Sequence, residues 1–205
     1  MTDMKLILAS GSAARKMMLR EAGYEFDIIP ADIDEQKFID EAVANKTSFE
    51  KIALILAQEK AQAVCNEQNK ESIIVGSDQL LIFEDEIMTK SKNLEQAKEK
   101  LMKMQGKEHQ LISAVYAKTP TISFMSEDSA TLVMKHLSEV QIDEYLQSAP
   151  NDALQCVGGY AIEGKGRALF DDVRGDDYTI MGMPLPKLQA FLERQGFKPS
   201  KVGAP

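Results

Sequence analysis

Four apolar residues, Leu6-Ile7-Leu8-Ala9, stop abruptly at Ser10-Gly11-Ser12, and a helical pattern carried by Met17, Met18, Leu19 and Ala22 runs from there to Gly23. The first run has the length of a buried strand, and the helical spacing directly behind it commits the chain to strand, polar loop and helix in succession. The alternation continues. Phe26, Ile28 and Ile29 read as a second short strand before Pro30, and the acidic stretch Asp32-Ile33-Asp34-Glu35 reads as a loop near its end. A long amphipathic helix then starts at Ser48 and passes through Ile52, Leu56, Lys60 and Val64.

Ile73-Ile74-Val75 forms a buried-type strand that the turn formers Gly76-Ser77-Asp78 are expected to break. Leu80 to Phe83 and Ile87-Met88 flank Glu84-Asp85-Glu86 as a hairpin, and a helix from Leu94 to Gln105 ends at Gly106. Gln110 to Ala117 and Thr121 to Lys135 are rich in β-branched residues and read as antiparallel strands. Ser138 caps a helix that reaches Gln147. After Pro150 the glycines predict a loop-rich region with short strands such as Arg167 to Phe170, and Leu185 to Gln195 closes the pattern as a helix stopped by Gly196. Alternation in the first half and grouped strands in the middle predict an α/β fold with a mixed, twisted sheet flanked by helices. A chain of 205 residues can bury a core without staples. One domain is expected over residues 1–198, with 199–205 as a frayed, flexible tail.

A net charge of −8 argues against a nucleic-acid polymer or an anionic membrane as partner, so a small anionic substrate needs a local cluster of cations. Cys65 and Cys156 fit neither a metal-ligand spacing nor a disulfide framework, which favours a reducing compartment. The N-terminal apolar run is too short for a signal peptide, and no run approaches the ~20 residues of a membrane span. A soluble, cytoplasmic protein is the expectation.

Two constellations carry chemistry. Ser10-Gly11-Ser12-Ala13-Ala14-Arg15-Lys16 lies at a strand-to-helix junction, where small residues admit a ligand to the backbone and a helix N-terminus with adjacent cations attracts phosphate. The same residues also suit a plain serine-capped helix. Asp78, directly after an apolar strand, is placed to hold Mg²⁺ or orient water, with Glu35 as partner carboxylate. As local signals alone, Asp78 also reads as a turn former and Glu35 as a solvated charge. Lys60 and Lys90 are candidate cations. His109 and His136 lie on predicted strands, lack a triad spacing and read as structural or exposed.

In this order the segments resemble the Maf family of nucleoside triphosphate pyrophosphatases. Leu8-Ala9-Ser10-Gly11-Ser12-Ala13-Ala14-Arg15 is similar to its Leu-Ala-Ser-x-Ser-x-x-Arg signature, Ile33-Asp34-Glu35 to its Asp-Glu element, and Ala57-Gln58-Glu59-Lys60-Ala61 to its Ala-x-x-Lys-Ala helix. Gly76-Ser77-Asp78-Gln79 resembles the central Asp motif, and Lys90 falls where the family has Gly-Lys-Pro. Gly158 to Gly164 and Gly182-Met183-Pro184-Leu185 resemble the C-terminal segments.

The resemblance implies an elongated, two-lobed architecture with a central cleft, like that of inosine triphosphatases, and a possible homodimer. It implies metal-dependent cleavage between the α- and β-phosphates, using a divalent ion such as Mg²⁺ or Mn²⁺. Asp78, assisted by Glu35, takes the catalytic and metal-binding roles, while Ser10, Ser12, Arg15, Lys60 and Lys90 bind the triphosphate. Selectivity falls to Ala14, Gln79 and Glu163, and Asp78-Gln79 with glutamate at 163 resembles the branch acting on 7-methyl-GTP. The alternatives are a pyrophosphatase for dTTP, UTP or other non-canonical nucleotides, and a non-catalytic nucleotide-sensing regulator of cell division. Two departures stand out: Lys16 where the family often has Arg, and Thr89-Lys90-Ser91 where it has Gly-Lys-Pro.

Overall fold

A computed structural model describes residues 4–200. Strand β1 (Leu6–Leu8) leads to helix α1 (Ala13–Glu21), and β2 (Asp27–Ile28) to α2 (Glu35–Ala44) and α3 (Phe49–Val64). Then come β3 (Ile73–Phe83), β4 (Glu86–Met88), α4 (Leu94–Met104), β5 (Glu108–Lys118) and β6 (Ser123–Met134). Helices α5 (Glu139–Ser148) and α6 (Pro150–Gln155), β7 (Phe170–Arg174), α7 (Asp177–Ile180) and α8 (Leu185–Arg194) complete the order. The sheet runs β2-β1-β3-β5-β6-β7, with β4 paired to β3. It is mixed: β1 lies parallel to β2 and β3, while β4 on β3 and β7 on β6 are antiparallel. The mixed α/β class expected from the alternating pattern is what the chain forms.

The chain forms two compact units. One comprises the chain through Asp78, Ser113–Asp128 and the chain from Gly182 onward; the other comprises Gln79–Ile112 and Ser129–Met181. In the first unit the core comes from β1, from Met18 and Leu19 of α1, and from the stripe Ile52, Leu56, Val64 of α3, all buried. Each fully buried Leu or Ile contributes about 2 kcal/mol of transfer free energy, so period and burial together hold the layer. Gly76 shows how close that layer is. A Cβ there would meet Ala57 O at 2.1 Å and Ala61 N at 2.8 Å, so only glycine lets α3 cross β3 at this point. In the second unit Leu81, Phe83, Leu101, Leu132, Ile142 and Phe170 belong to one apolar cluster, and α4 packs on α5 and α6.

Local signals explain several boundaries. Gly23, Gly106 and Gly196, with φ of 80°, 68° and 77°, follow α1, α4 and α8 as expected. Ser138 and Gln141 form a reciprocal capping box on α5. The β3–β4 hairpin closes Phe83 on Glu86 through Glu84 and Asp85, whose φ values of 51° and 62° give the primed turn that matches strand twist.

Four expectations are corrected. β3 is not broken at Gly76-Ser77-Asp78 but continues to Phe83, because the polar side chains of Ser77 and Asp78 find partners inside the fold. The acidic loop ends in a helix: Asp34 caps α2, its Oδ1 accepting from the Lys37 amide at 3.2 Å, so Glu35 opens that helix. Residues 165–169 form a 3₁₀ turn, and the strand begins only at Phe170. A Cβ at Gly166 would lie 2.5 Å from Ala161 O, where the chain folds back on itself. Finally, the loop-rich region also holds the short helices α6 and α7, the latter capped by Asp176. At the C-terminus, the Ser200 amide donates to Gly23 O at 2.8 Å, while residues 201–205 of the expected tail lie outside the described residues. Among the described residues, no helix is long and apolar enough to cross a membrane.

Candidate active site

Between β1 and α1 the chain turns through two serines that are engaged by their own loop. Ser10 Oγ accepts from the Ser12 amide at 3.2 Å, and Ser12, the N-cap of α1, accepts from the Arg15 amide at 3.5 Å. Arg15 is buried one turn into the helix. Its Nε donates to Gly182 O at 2.9 Å, and its Nη1 to Ser77 O at 2.7 Å and Ser10 Oγ at 3.3 Å. Three of five guanidinium N–H groups are thereby committed, tying α1, β3 and the turn before α8. Ser77, fully buried, adds to the same knot, with Oγ 2.7 Å from Ala114 O and 2.9 Å from Gly182 O.

The acidic half of the site comes from three other elements. Lys60 lies in the buried stripe of α3, four residues on from Leu56 and four before Val64, so helical period carries its ammonium inward with the apolar side chains. There Nζ donates to Asp78 Oδ1 on β3 and to Glu35 Oε1 at 2.8 Å on the first residue of α2. Asp78 is 5% exposed, whereas the Glu35 side chain is 52% exposed, so the array opens to solvent on the Glu35 side.

Two cations and two carboxylates thus meet within the first unit, and their electrostatics are set by burial. Burial raises the Asp78 carboxyl above the ordinary carboxylate range. Lys60 and Arg15 pull it down, and the charge of Glu35 pushes it further up. Burial lowers the Arg15 guanidinium, against the attraction of Asp78 and Glu35. A carboxylate raised in this way is a stronger base than a solvated aspartate and remains bonded to a lysine that holds its orientation. The array can polarise and deprotonate water beside a helix N-terminus.

Glu35 and Asp78 are hard oxygen donors, and Lys60 Nζ bonds both, which marks the space between them as one that holds a cation. Among the described residues, no group of three or more His, Cys, Asp or Glu could cage a metal. Two carboxylates suit Mg²⁺, which keeps waters and takes further oxygens from a bound phosphate.

The remaining predicted residues are distributed as follows. Ala14 is half-buried on the first turn of α1. Gln79 belongs to the second unit, and its Nε2 donates to Thr179 O at 3.1 Å and Ile180 O at 2.8 Å, which fixes the amide plane. Lys90 and Glu163 are exposed residues of the second unit, and both act electrostatically on the thiol of Cys156, which burial pushes up to about 11.

A sequence model of the family described as Maf-like protein matches residues 5–195, a span that includes every one of these positions. The chain belongs to the Maf family. A nucleoside triphosphate pyrophosphatase of Bradyrhizobium diazoefficiens is 40% identical over 191 residues, 93% of either chain. A 7-methyl-GTP pyrophosphatase of Brucella suis is 39% identical over 192 residues, covering 93% of this chain and 96% of that one. Another of that name, from Mesorhizobium japonicum, is 37% identical over 193 residues, covering 94% and 96%. This Maf chain also contains site residues to which sequence reasoning assigned no role. The carbonyls of Ser77 and Gly182 anchor Arg15, and backbone acceptors of this kind leave no side-chain signal in the sequence.

Proposed function

We propose that this chain hydrolyses a nucleoside triphosphate between its α- and β-phosphates, releasing the monophosphate and pyrophosphate, with 7-methyl-GTP as preferred substrate and a divalent cation as cofactor. The observation that carries this reading is the array in which Lys60 joins a buried, base-strengthened Asp78 to the half-exposed Glu35. Asp78 accepts a proton from water, and the resulting hydroxide attacks the α-phosphorus. The bond from that phosphorus to the bridging oxygen breaks, and its electron pair leaves with pyrophosphate. Lys60 holds Asp78 in orientation, and the α1 N-terminus with the Ser10–Ser12 loop faces growing negative charge with N–H donors. Arg15 contributes positive charge while keeping the loop and β3 in register. Glu35 and Asp78 would hold Mg²⁺ or Mn²⁺, which supplies charge neutralisation of the polyphosphate when bound.

The base preference rests on Glu163, with Gln79 beside Asp78 on β3. Methylation at N7 gives guanine a delocalised positive charge, and a carboxylate attracts that ring while accepting from N1–H and the exocyclic amine. Gln79 is anchored on two carbonyls, so its amide offers a fixed rather than adaptable contact. The relatives' names support pyrophosphatase chemistry, and two carry the 7-methyl-GTP specificity.

The test is a nucleotide panel with Mg²⁺ or Mn²⁺ and product analysis. Pyrophosphate and monophosphate in equal amounts are expected, fastest from 7-methyl-GTP, and Glu163→Gln is expected to lower that preference about tenfold relative to UTP and dTTP, one lost charge contact. Tight nucleotide binding without pyrophosphate release would reduce the protein to a nucleotide sensor. An unchanged ranking in Glu163→Gln would remove residue 163 from selectivity.

A further inference from the structure

Helix α4 buries Ala97, Lys100, Leu101 and Met104, so a lysine occupies a position in its apolar stripe. Lys100 is 7% exposed, and its Nζ donates to the carbonyl oxygens of Thr89 and of Val157, the latter at 2.8 Å. Among the described residues no carboxylate pairs with it. Burial lowers its ammonium to about 8 with no opposing charge, so an apolar side chain would fill this place at less cost. What an apolar residue cannot do is join these two carbonyls.

Both carbonyls lie beside residues of the proposed substrate site. Thr89 precedes Lys90, and Val157 begins the glycine-rich segment that reaches Glu163. Lys90 and Glu163 are close enough to act on one thiol, that of Cys156. The loop lacks an anchor of its own: Ser91 stands where the family signature has proline, and its buried Oγ meets no hydrogen-bond partner among the described residues. Without proline, φ is unrestrained, and an external clamp must supply the order that the ring otherwise provides.

We propose that Lys100 is a positioning residue for substrate binding, acting through Lys90 by clamping the 89–91 loop to the Val157–Glu163 segment. The proposal rests on the pyrophosphatase reading for its kinetic readout, but not for its structural one. A clamp that sets where Lys90 stands affects capture of the polyphosphate more than the chemical step.

The experiment is a double-mutant cycle on the full chain with Lys90→Ala, Lys100→Met and both together. It reads KM and kcat for 7-methyl-GTP, calorimetric affinity for inorganic tripolyphosphate with Mg²⁺, and amide hydrogen exchange. Lys100→Met is expected to raise KM and weaken tripolyphosphate binding about tenfold while changing kcat less than about twofold. It should speed exchange at residues 89–92 and leave β3 and α5 unchanged. Because Lys100 acts through Lys90, the double variant should bind no more weakly than Lys90→Ala alone, and Lys100→Arg should restore most of the affinity. Additive losses in the double variant, or a folded Lys100→Met with unchanged loop exchange and affinity, would overturn the proposal. Should Lys100→Met not fold, Lys100→Gln runs through the same cycle under the same criteria. Absence of turnover in the unmodified protein would defeat the pyrophosphatase reading, while tripolyphosphate affinity and loop exchange would still decide the role of Lys100.

Discussion

Burial of Asp78 outweighs the attraction of Lys60 and Arg15, and the result is a carboxyl raised above its ordinary range, which suits it to the proposed role of base. In the proposed mechanism Asp78 accepts the proton in its ionised form. Asp78→Asn removes the base while keeping the shape and a hydrogen-bond acceptor for Lys60. Turnover is expected to fall by about 10²–10⁴-fold with far-ultraviolet dichroism unchanged. A variant that retains most of its rate would exclude Asp78 from the proton transfer. Lys60 and Lys100 share a signal that is readable in the sequence, a lysine in the apolar stripe of an amphipathic helix. What that signal leaves open is the partner: two carboxylates in one case, two carbonyls in the other.

At the scale of elements, the contact of α3 with β3 places Lys60 on Asp78, and Gly76 is what permits it. Gly76→Ala would drive a methyl group into the backbone of Ala57 and Ala61, atoms that cannot turn aside. The variant is expected to lose about 3 kcal/mol, measured by urea unfolding, and to lose activity in step as Lys60 is displaced. A stability unchanged within 0.5 kcal/mol, on the order of a neutral surface substitution, would contradict the close crossing. The same glycine, with Ser77 and Asp78, is a strong turn signal in sequence and predicts a break that β3 does not have. The tripeptide serves another purpose. Glycine admits the helix, serine bonds Ala114 and Gly182, and aspartate meets Lys60, so the strand continues through residues that usually end one. Helix α2 is poorly marked in the sequence for a related reason: Phe38, Ile39, Ala42 and Val43 have helical spacing, but only Ala42 is buried, leaving a weak apolar face behind an acidic cap.

For the molecule as a whole, stability should depend on pH through a histidine buried in the second unit. His109 is 3% exposed on β5, its Nε2 lies 2.6 Å from Tyr160 Oη, and burial lowers it to about 4. The unfolded chain binds a proton there below its ordinary value near 6.5, as the folded chain does not until about 4. The contribution of His109 to stability is therefore complete above pH 6.5 and declines as pH falls towards 4, a loss of about 3 kcal/mol from this residue. Urea unfolding at pH 7.5 and 4.5 checks this: His109→Gln should lose less stability between the two than the unmodified protein, and an equal loss would refute the assignment. What neighbours within a few residues can enforce is legible in the sequence: strand β1, helices α1, α3, α4, α5 and α8, the hairpin at Glu84-Asp85, and the residue types of a candidate phosphate site. Folding in three dimensions sets the rest: β3 runs unbroken, Arg15 fastens to Ser77 and Gly182, and the buried lysines end on Asp78, Glu35, Thr89 and Val157. Those outcomes depend on partners far along the chain, and burial changes both the cost of a charge and the strength of a base, which no local period encodes.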